Sequence, residues 1–164
     1  ERDVAPGGWA ALAHGLSPGT RASLRVLLLE RCPGLAGTDA LLGGGRDGAA
    51  PLSALRVLRL DCSSKRGASD SVKAALQHGR LPSLRVLCLN ELRADVVAAL
   101  DGAGVEELEV DDRVAAGEEM AAVLGAALCR MPRVRTVRTS VRWRAVRALT
   151  EAVAPEHAPP TLRR

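Results

Sequence analysis

The sequence predicts an α/β solenoid, a stack of strand-and-return units whose strands line up as about five neighbours in one parallel sheet, with helices and loops behind it. Three observations carry this. A hexamer recurs almost letter for letter as Leu24-Arg25-Val26-Leu27-Leu28-Leu29, Leu55-Arg56-Val57-Leu58-Arg59-Leu60 and Leu84-Arg85-Val86-Leu87-Cys88-Leu89. Two weaker copies, Val105-Glu106-Glu107-Leu108-Glu109-Val110 and Val134-Arg135-Thr136-Val137-Arg138-Thr139, follow, so the copies begin 31, 29, 21 and 29 residues apart. Spacings of this size mark units that cannot bury their apolar face alone and must stack to do so. Thirdly, the leucines of each hexamer alternate with other residues, which puts them on one face of a strand, while several of the following stretches carry apolar residues at helical spacing.

Residues 1–23 read as an N-terminal cap. Trp9, Leu12 and Leu16 are spaced by three and four, giving a short helix over 7–16 with one apolar stripe. Residues 24–142 are the repeats. The first strand is followed by Glu30-Arg31-Cys32-Pro33-Gly34-Leu35 and then by a loop-rich return in which Thr38 to Leu42 offers only a helical turn before Gly43-Gly44-Gly45. The second return is better formed, with Ser69 or Asp70 as cap, Val72, Ala75 and Leu76 on one face, and Gly79 as stop. The third is short, about Ala94 to Leu100 ahead of Gly102. In the fourth, Glu118 to Met131, the residues Met120, Val123, Leu124, Ala127 and Leu128 share a stripe, and Pro132 ends it. Residues 143–164 form a C-terminal cap: a helix carrying Trp143, Val146, Leu149 and Val153, then a tail broken by Pro155, Pro159 and Pro160.

Leu24, Leu27, Leu29, Cys32 and Leu35 fit L-x-x-L-x-L-x-x-N/C-x-x-L. On these residues the chain resembles the leucine-rich-repeat proteins, and its near-29-residue period with helical returns is similar to their ribonuclease-inhibitor-like class. The resemblance covers about residues 10–155. It implies a single domain forming a right-handed α/β superhelix, with Cys32 filling the turn after the strand. It also implies protein binding through the strand face, as most of that family do.

Composition narrows the function classes. The chain has 164 residues, enough for one real core and no second domain. It lacks Phe, Tyr and Ile, and of its 23 basic residues only Lys65 and Lys73 are lysine, a bias expected of GC-rich coding. A formal charge of +4 therefore permits an acidic partner without requiring one. No apolar run approaches the roughly 20 residues that cross a bilayer, so no membrane role is expected. The first residues carry no basic, apolar leader pattern. Cys32, Cys62, Cys88 and Cys129 lie 26 to 41 residues apart with no C-x-x-C pair, so they are expected as free thiols in a reducing, intracellular compartment.

Catalysis finds no foothold. His14, His78 and His157 sit in different units, and the Gly43–Gly45 run lacks the Gly-Lys-Ser/Thr of a phosphate loop. No enzyme activity, cofactor, metal or small-molecule substrate is expected. The candidate surface is the strand face instead. If the fourth and sixth hexamer positions point inward, the third and fifth point out, presenting Val26, Leu28, Val57, Arg59, Val86, Cys88, Glu107, Glu109 and Arg138 to a protein partner or a multi-subunit complex. Cys88 is expected to be exposed there. In-register strands also place Glu109 beside Arg138 and Glu106 beside Arg135, where ion pairs are expected. Arg142, Arg144 and Arg147 are left over as candidate phosphate contacts. They support an alternative function, a structural subunit of a ribonucleoprotein, although Trp9 and Trp143 are the only aromatic residues available for base stacking.

Overall fold

A computed structural model describes residues 8–30, 38–42, 50–61, 67–90, 93–110, 124–126, 128–129, 131 and 133–139. In chain order the elements are α1 (Gly8–Gly15), α2 (Pro18–Ser23), β1 (Val26–Glu30), α3 (Thr38–Leu42), β2 (Val57–Asp61), α4 (Gly67–Gln77), β3 (Val86–Leu89), α5 (Ala94–Ala99), β4 (Glu107–Val110) and β5 (Thr136–Thr139). The five strands form one all-parallel sheet in the order β1-β2-β3-β4-β5. The last four residues of every hexamer thus lie in a strand, and each strand pairs with the next one along the chain.

The register is the one the repeated hexamers dictate. Val26, Val57, Val86, Glu107 and Thr136 stand side by side across the sheet, as do Leu27, Leu58, Leu87, Leu108 and Val137. It is anchored where each strand begins. The carbonyl of Arg25 accepts from the N–H groups of both Arg56 and Val57, at 2.8 and 3.1 Å. Arg56, Arg85 and Glu106 repeat the same forked bond toward the following strand.

Alternation then separates two faces. Leu58, Leu60, Leu87, Leu89, Leu108 and Val110 are at most 3% exposed. They meet Leu41 and Leu42 of α3, Val72 and Ala75 of α4, and Val96 and Val97 of α5 in one core. Leu124, Leu128 and Met131 join it from the fourth return. Burying a leucine of this size contributes about 1.5–3 kcal/mol, so the inward column dominates the stability. A second buried tier lies just ahead of the strands. Leu52, Leu81 and Met131 each close a tight turn by accepting from the N–H of the residue three further on, Leu55, Leu84 and Val134.

The helices line up behind the sheet, α1 on α3, α3 on α4, and α4 on α5. Polar bonds stitch successive returns. The buried hydroxyls of Thr38 and Ser71 lie 2.9 Å apart between α3 and α4. Asp95 on α5 takes Lys73 Nζ at 3.0 Å and Arg93 Nη2 at 3.1 Å, and Arg93 also reaches Asp70 at 2.9 Å.

Several expectations need correction. A second helix, α2, interrupts what reads as one cap: Ser17 Oγ accepts from the Thr20 N–H at 3.1 Å and Pro18 opens the first turn. Ser-Pro at this place is a helix-start signal. Leu12 is 44% exposed, so the apolar stripe expected through Trp9, Leu12 and Leu16 does not hold as one buried face; Leu16 alone of the last two packs on the core. Helix α4 starts at Gly67, which places Ser69 and Asp70 inside its first turn instead of at the cap. Gly79 (φ +62°) and Gly102 (φ +79°) end α4 and the turn after α5, where only glycine adopts the left-handed backbone without strain. Most of the helix expected over Glu118–Met131, the cap over 143–164, Cys32, Cys62 and Gly43–Gly45 lie outside the described residues.

Candidate functional site

The helices and the inward leucines occupy one side of the sheet, and the outward side is lined by the third and fifth positions of each strand. Chain geometry fixes this: successive residues of a strand point to opposite faces, so burying Leu58 and Leu60 turns Val57 and Arg59 outward. Of the residues expected there, Val26 and Leu28 are 50% and 53% exposed, and Glu107 and Arg138 are also exposed. Val57, Arg59, Val86 and Glu109 are half-buried. The valine row Val26-Val57-Val86 is continuous, since these three are register partners.

Cys88 departs from expectation. It is only 7% exposed although it projects outward, because its neighbours close over it. Arg59 Nη2 on β2 and Glu109 Oε2 on β4 form an ion pair at 2.9 Å that spans the intervening β3, and the Cys88 Sγ donates to the same carboxylate oxygen at 3.4 Å. Strands two apart are separated by about 9–10 Å, a gap that an arginine and a glutamate bridge only by reaching toward each other over the small thiol between them. Burial pushes the Cys88 thiol above its ordinary value, against the opposing pull of the Arg59 guanidinium. It is a neutral, sheltered thiol and not the exposed one the alternation implies.

The ion pairs expected between β4 and β5 are also redirected. Glu109 and Arg138 are register partners, but the carboxylate turns to Arg59. Glu106 pairs with Arg85, and not with Arg135. Both bonds run back toward β2 and β3, leaving Arg138 and Arg135 exposed. At the other end of the strands, Asn90 donates from its amide to the Asp61 carboxylate.

The outward face therefore divides. Over β1 and the start of β2 it is apolar, with exposed Arg25 and Arg56 just ahead of the two strands and half-buried Asp61 at the end of β2. Over β2 to β4 it is cross-tied by its own charges.

No family model matches the chain, and no curated protein matches it.

Among the described residues no group of three or more His, Cys, Asp or Glu side chains could hold a metal ion, and no helix is long and apolar enough to cross a membrane. His14 and His78 are exposed, and Cys129 is a half-buried free thiol. Arg142, Arg144, Arg147 and His157 lie outside the described residues.

Arg21 is the residue a hexamer-based reading passes over. It is 3% exposed, and its Nε and Nη2 donate to the carbonyls of Ala50 at 3.0 Å and Leu41 at 2.9 Å. Its Nη1 is buried without a hydrogen-bond partner. Burial, and then the charge of Arg80, lower its pKa. The signal was one step upstream of the hexamer: Arg21-Ala22-Ser23-Leu24 aligns with Leu52-Ser53-Ala54-Leu55 and Leu81-Pro82-Ser83-Leu84.

Proposed function

We propose that the chain is a short leucine-rich-repeat solenoid of the ribonuclease-inhibitor-like class and acts without catalysis, binding a protein partner across the outward face of its sheet. The observation that carries this is the valine row Val26-Val57-Val86, held in register on the face opposite the buried leucines. Side chains fixed on paired strands lose little further freedom on binding, so an apolar row of this kind is a ready docking surface. An exposed apolar patch with charged margins marks protein contacts more often than any other use. Arg59, Cys88 and Glu109 would form a rigid polar floor beside it, with Glu107 and Arg138 as charged flanks, fitting an adaptor or a subunit fixed in a larger assembly.

The test is affinity capture from native extract with the wild-type chain and a Val57→Glu, Val86→Glu double variant. Both substitutions point away from the core, so the variant keeps its fold while losing the apolar row. Partners that disappear with the variant support the reading. Recovery of the same partners at the same levels would remove the strand face as the binding surface.

A further inference from the structure

Just ahead of the strands runs a charged rim. The second place of each hexamer holds Arg25, Arg56, Arg85, Glu106 and Arg135 in turn. Arginine makes up 21 of the 164 residues, so chance would put fewer than one among five places, and composition alone does not account for four. These residues are immediate neighbours. The carbonyl of Arg25 accepts from the Arg56 N–H, that of Arg56 from Arg85, that of Arg85 from Glu106 and that of Glu106 from Arg135, at 2.7 to 2.9 Å.

Arg25, Arg56, Arg85 and Arg135 are exposed. Like charges one strand apart, about 4.8 Å, destabilise a sheet, so the fold itself gains nothing from this row. One place shows what the row accepts. Glu106, the one acid in it, takes the Arg85 guanidinium from the strand beside it, so side chains here reach along the rim and hold a carboxylate. Among the described residues no carboxylate does the same for Arg25, Arg56 or Arg135.

We propose that this rim binds the acidic flank of an α-helix presented by a protein partner, an inference that rests on the protein-binding reading and names that partner's chemistry. Spacing selects a helix. Carboxylates three and four residues apart on a helix lie about 5–6 Å from one another, close to the strand spacing, so successive turns meet successive arginines. On an extended segment, side chains of one face are two residues and about 6.6 Å apart, and they fall out of step sooner. Each arginine also directly precedes its valine in the chain, so a helix about 10 Å across that lies over the valines carries one flank at the rim. Charge selects carboxylates over phosphates. Glu107 is exposed beside Glu106 on β4, and a continuous phosphate backbone laid along the row would meet both. A helix avoids them by carrying an uncharged or basic side chain at that turn.

The probe is a labelled alanine-based helical peptide of about 18 residues, with leucines along one stripe and glutamates along the adjoining flank. Its controls are the same peptide with glutamine for glutamate, a version broken by proline, and a short RNA duplex. Fluorescence anisotropy reads binding to the full chain as wild type, as the Arg25→Gln, Arg56→Gln pair, and as the Val57→Glu, Val86→Glu pair. The glutamate helix is expected to bind more tightly than either peptide control and to weaken as salt rises. The arginine pair, on exposed positions, should keep the wild-type melting temperature and lose at least about threefold in affinity. No binding of the glutamate helix up to about 1 mM, an arginine pair that binds it as the wild type does, or tighter binding of the duplex would overturn the proposal. Capture from native extract separates the two readings. Partners lost from the valine variant but kept by the arginine variant would remove the rim and leave the strand face standing, whereas partners kept by the valine variant would remove the face itself.

Discussion

Arg21 occupies in the first unit the place that Leu52 holds in the second: each lies three residues before the leucine that opens its hexamer, and each is shut away from solvent, at 3% and 0% exposure. A cation has been set into an apolar column. It is tolerated because two of its three nitrogens donate to the carbonyls of Leu41 and Ala50. The third, Nη1, is uncompensated.

This leads to a graded expectation. Arg21→Ala should cost about 2–4 kcal/mol, because it leaves a void and removes two hydrogen bonds. Arg21→Met keeps the volume and removes a poorly solvated charge, so its cost should be at least about 1 kcal/mol smaller. Urea unfolding of the two variants measures the difference; equal losses would mean that the void is immaterial and the two hydrogen bonds set the whole cost.

Alternation on β2 is tested by neighbours. Leu58→Ala should cost about 2–5 kcal/mol, since Leu58 is fully buried, whereas Val57→Ala should cost under about 1 kcal/mol from the half-open face. Thermal or urea melts of the pair decide it. A Val57→Ala loss as large as that of Leu58→Ala would show that the outward side is packed.

Cys88 should resist alkylation by iodoacetamide at neutral pH in the native chain, because the thiol is both neutral and covered. Arg59→Ala opens the cover and should speed labelling several-fold, read by mass spectrometry. A raised pKa also sets a sign. The folded state holds the proton more tightly than the unfolded chain, so this contribution is present below the ordinary thiol value and is lost as pH rises through the folded one. Stability should therefore decline on the alkaline side in the wild type, and less so in Cys88→Ala.

Asp95 behaves oppositely. The Lys73 ammonium, and then Arg93, hold its carboxyl below the ordinary value. Its contribution is present above the unfolded pKa, roughly 4, and disappears as pH falls through the folded one. Asp95→Asn should therefore be less stable than the wild type at neutral pH, with the gap closing in acid. A gap that persists at the lowest pH would assign the loss to packing instead of charge.

The strands and their register were readable before any coordinates, because a repeated hexamer leaves one way to align its copies. Leu58, Leu87 and Leu108 fall where period-two reasoning puts them. What escaped was set by side-chain reach. A one-strand spacing suggests that Glu109 pairs with Arg138, but Arg59 is long enough to take the carboxylate from two strands away, and in doing so it hides Cys88. Helix α2 escaped for a different reason: six residues are too few to show periodicity, and only Ser17-Pro18 announces it. Arg21 escaped because charge argues for the surface until the alignment of units is extended upstream.

The forked bonds at Arg25, Arg56, Arg85 and Glu106 carry one more implication. The starts of successive hexamers are spaced by 21 to 31 residues, so the arcs between them differ by as much as ten, yet every strand lands on its neighbour at the same rung. Position along the stack is thus specified by a short clasp and not by the length of chain between clasps. Evolution or a protein engineer can lengthen, trim or exchange an arc, grafting new chemistry behind the sheet, without shifting the surface in front by a single residue.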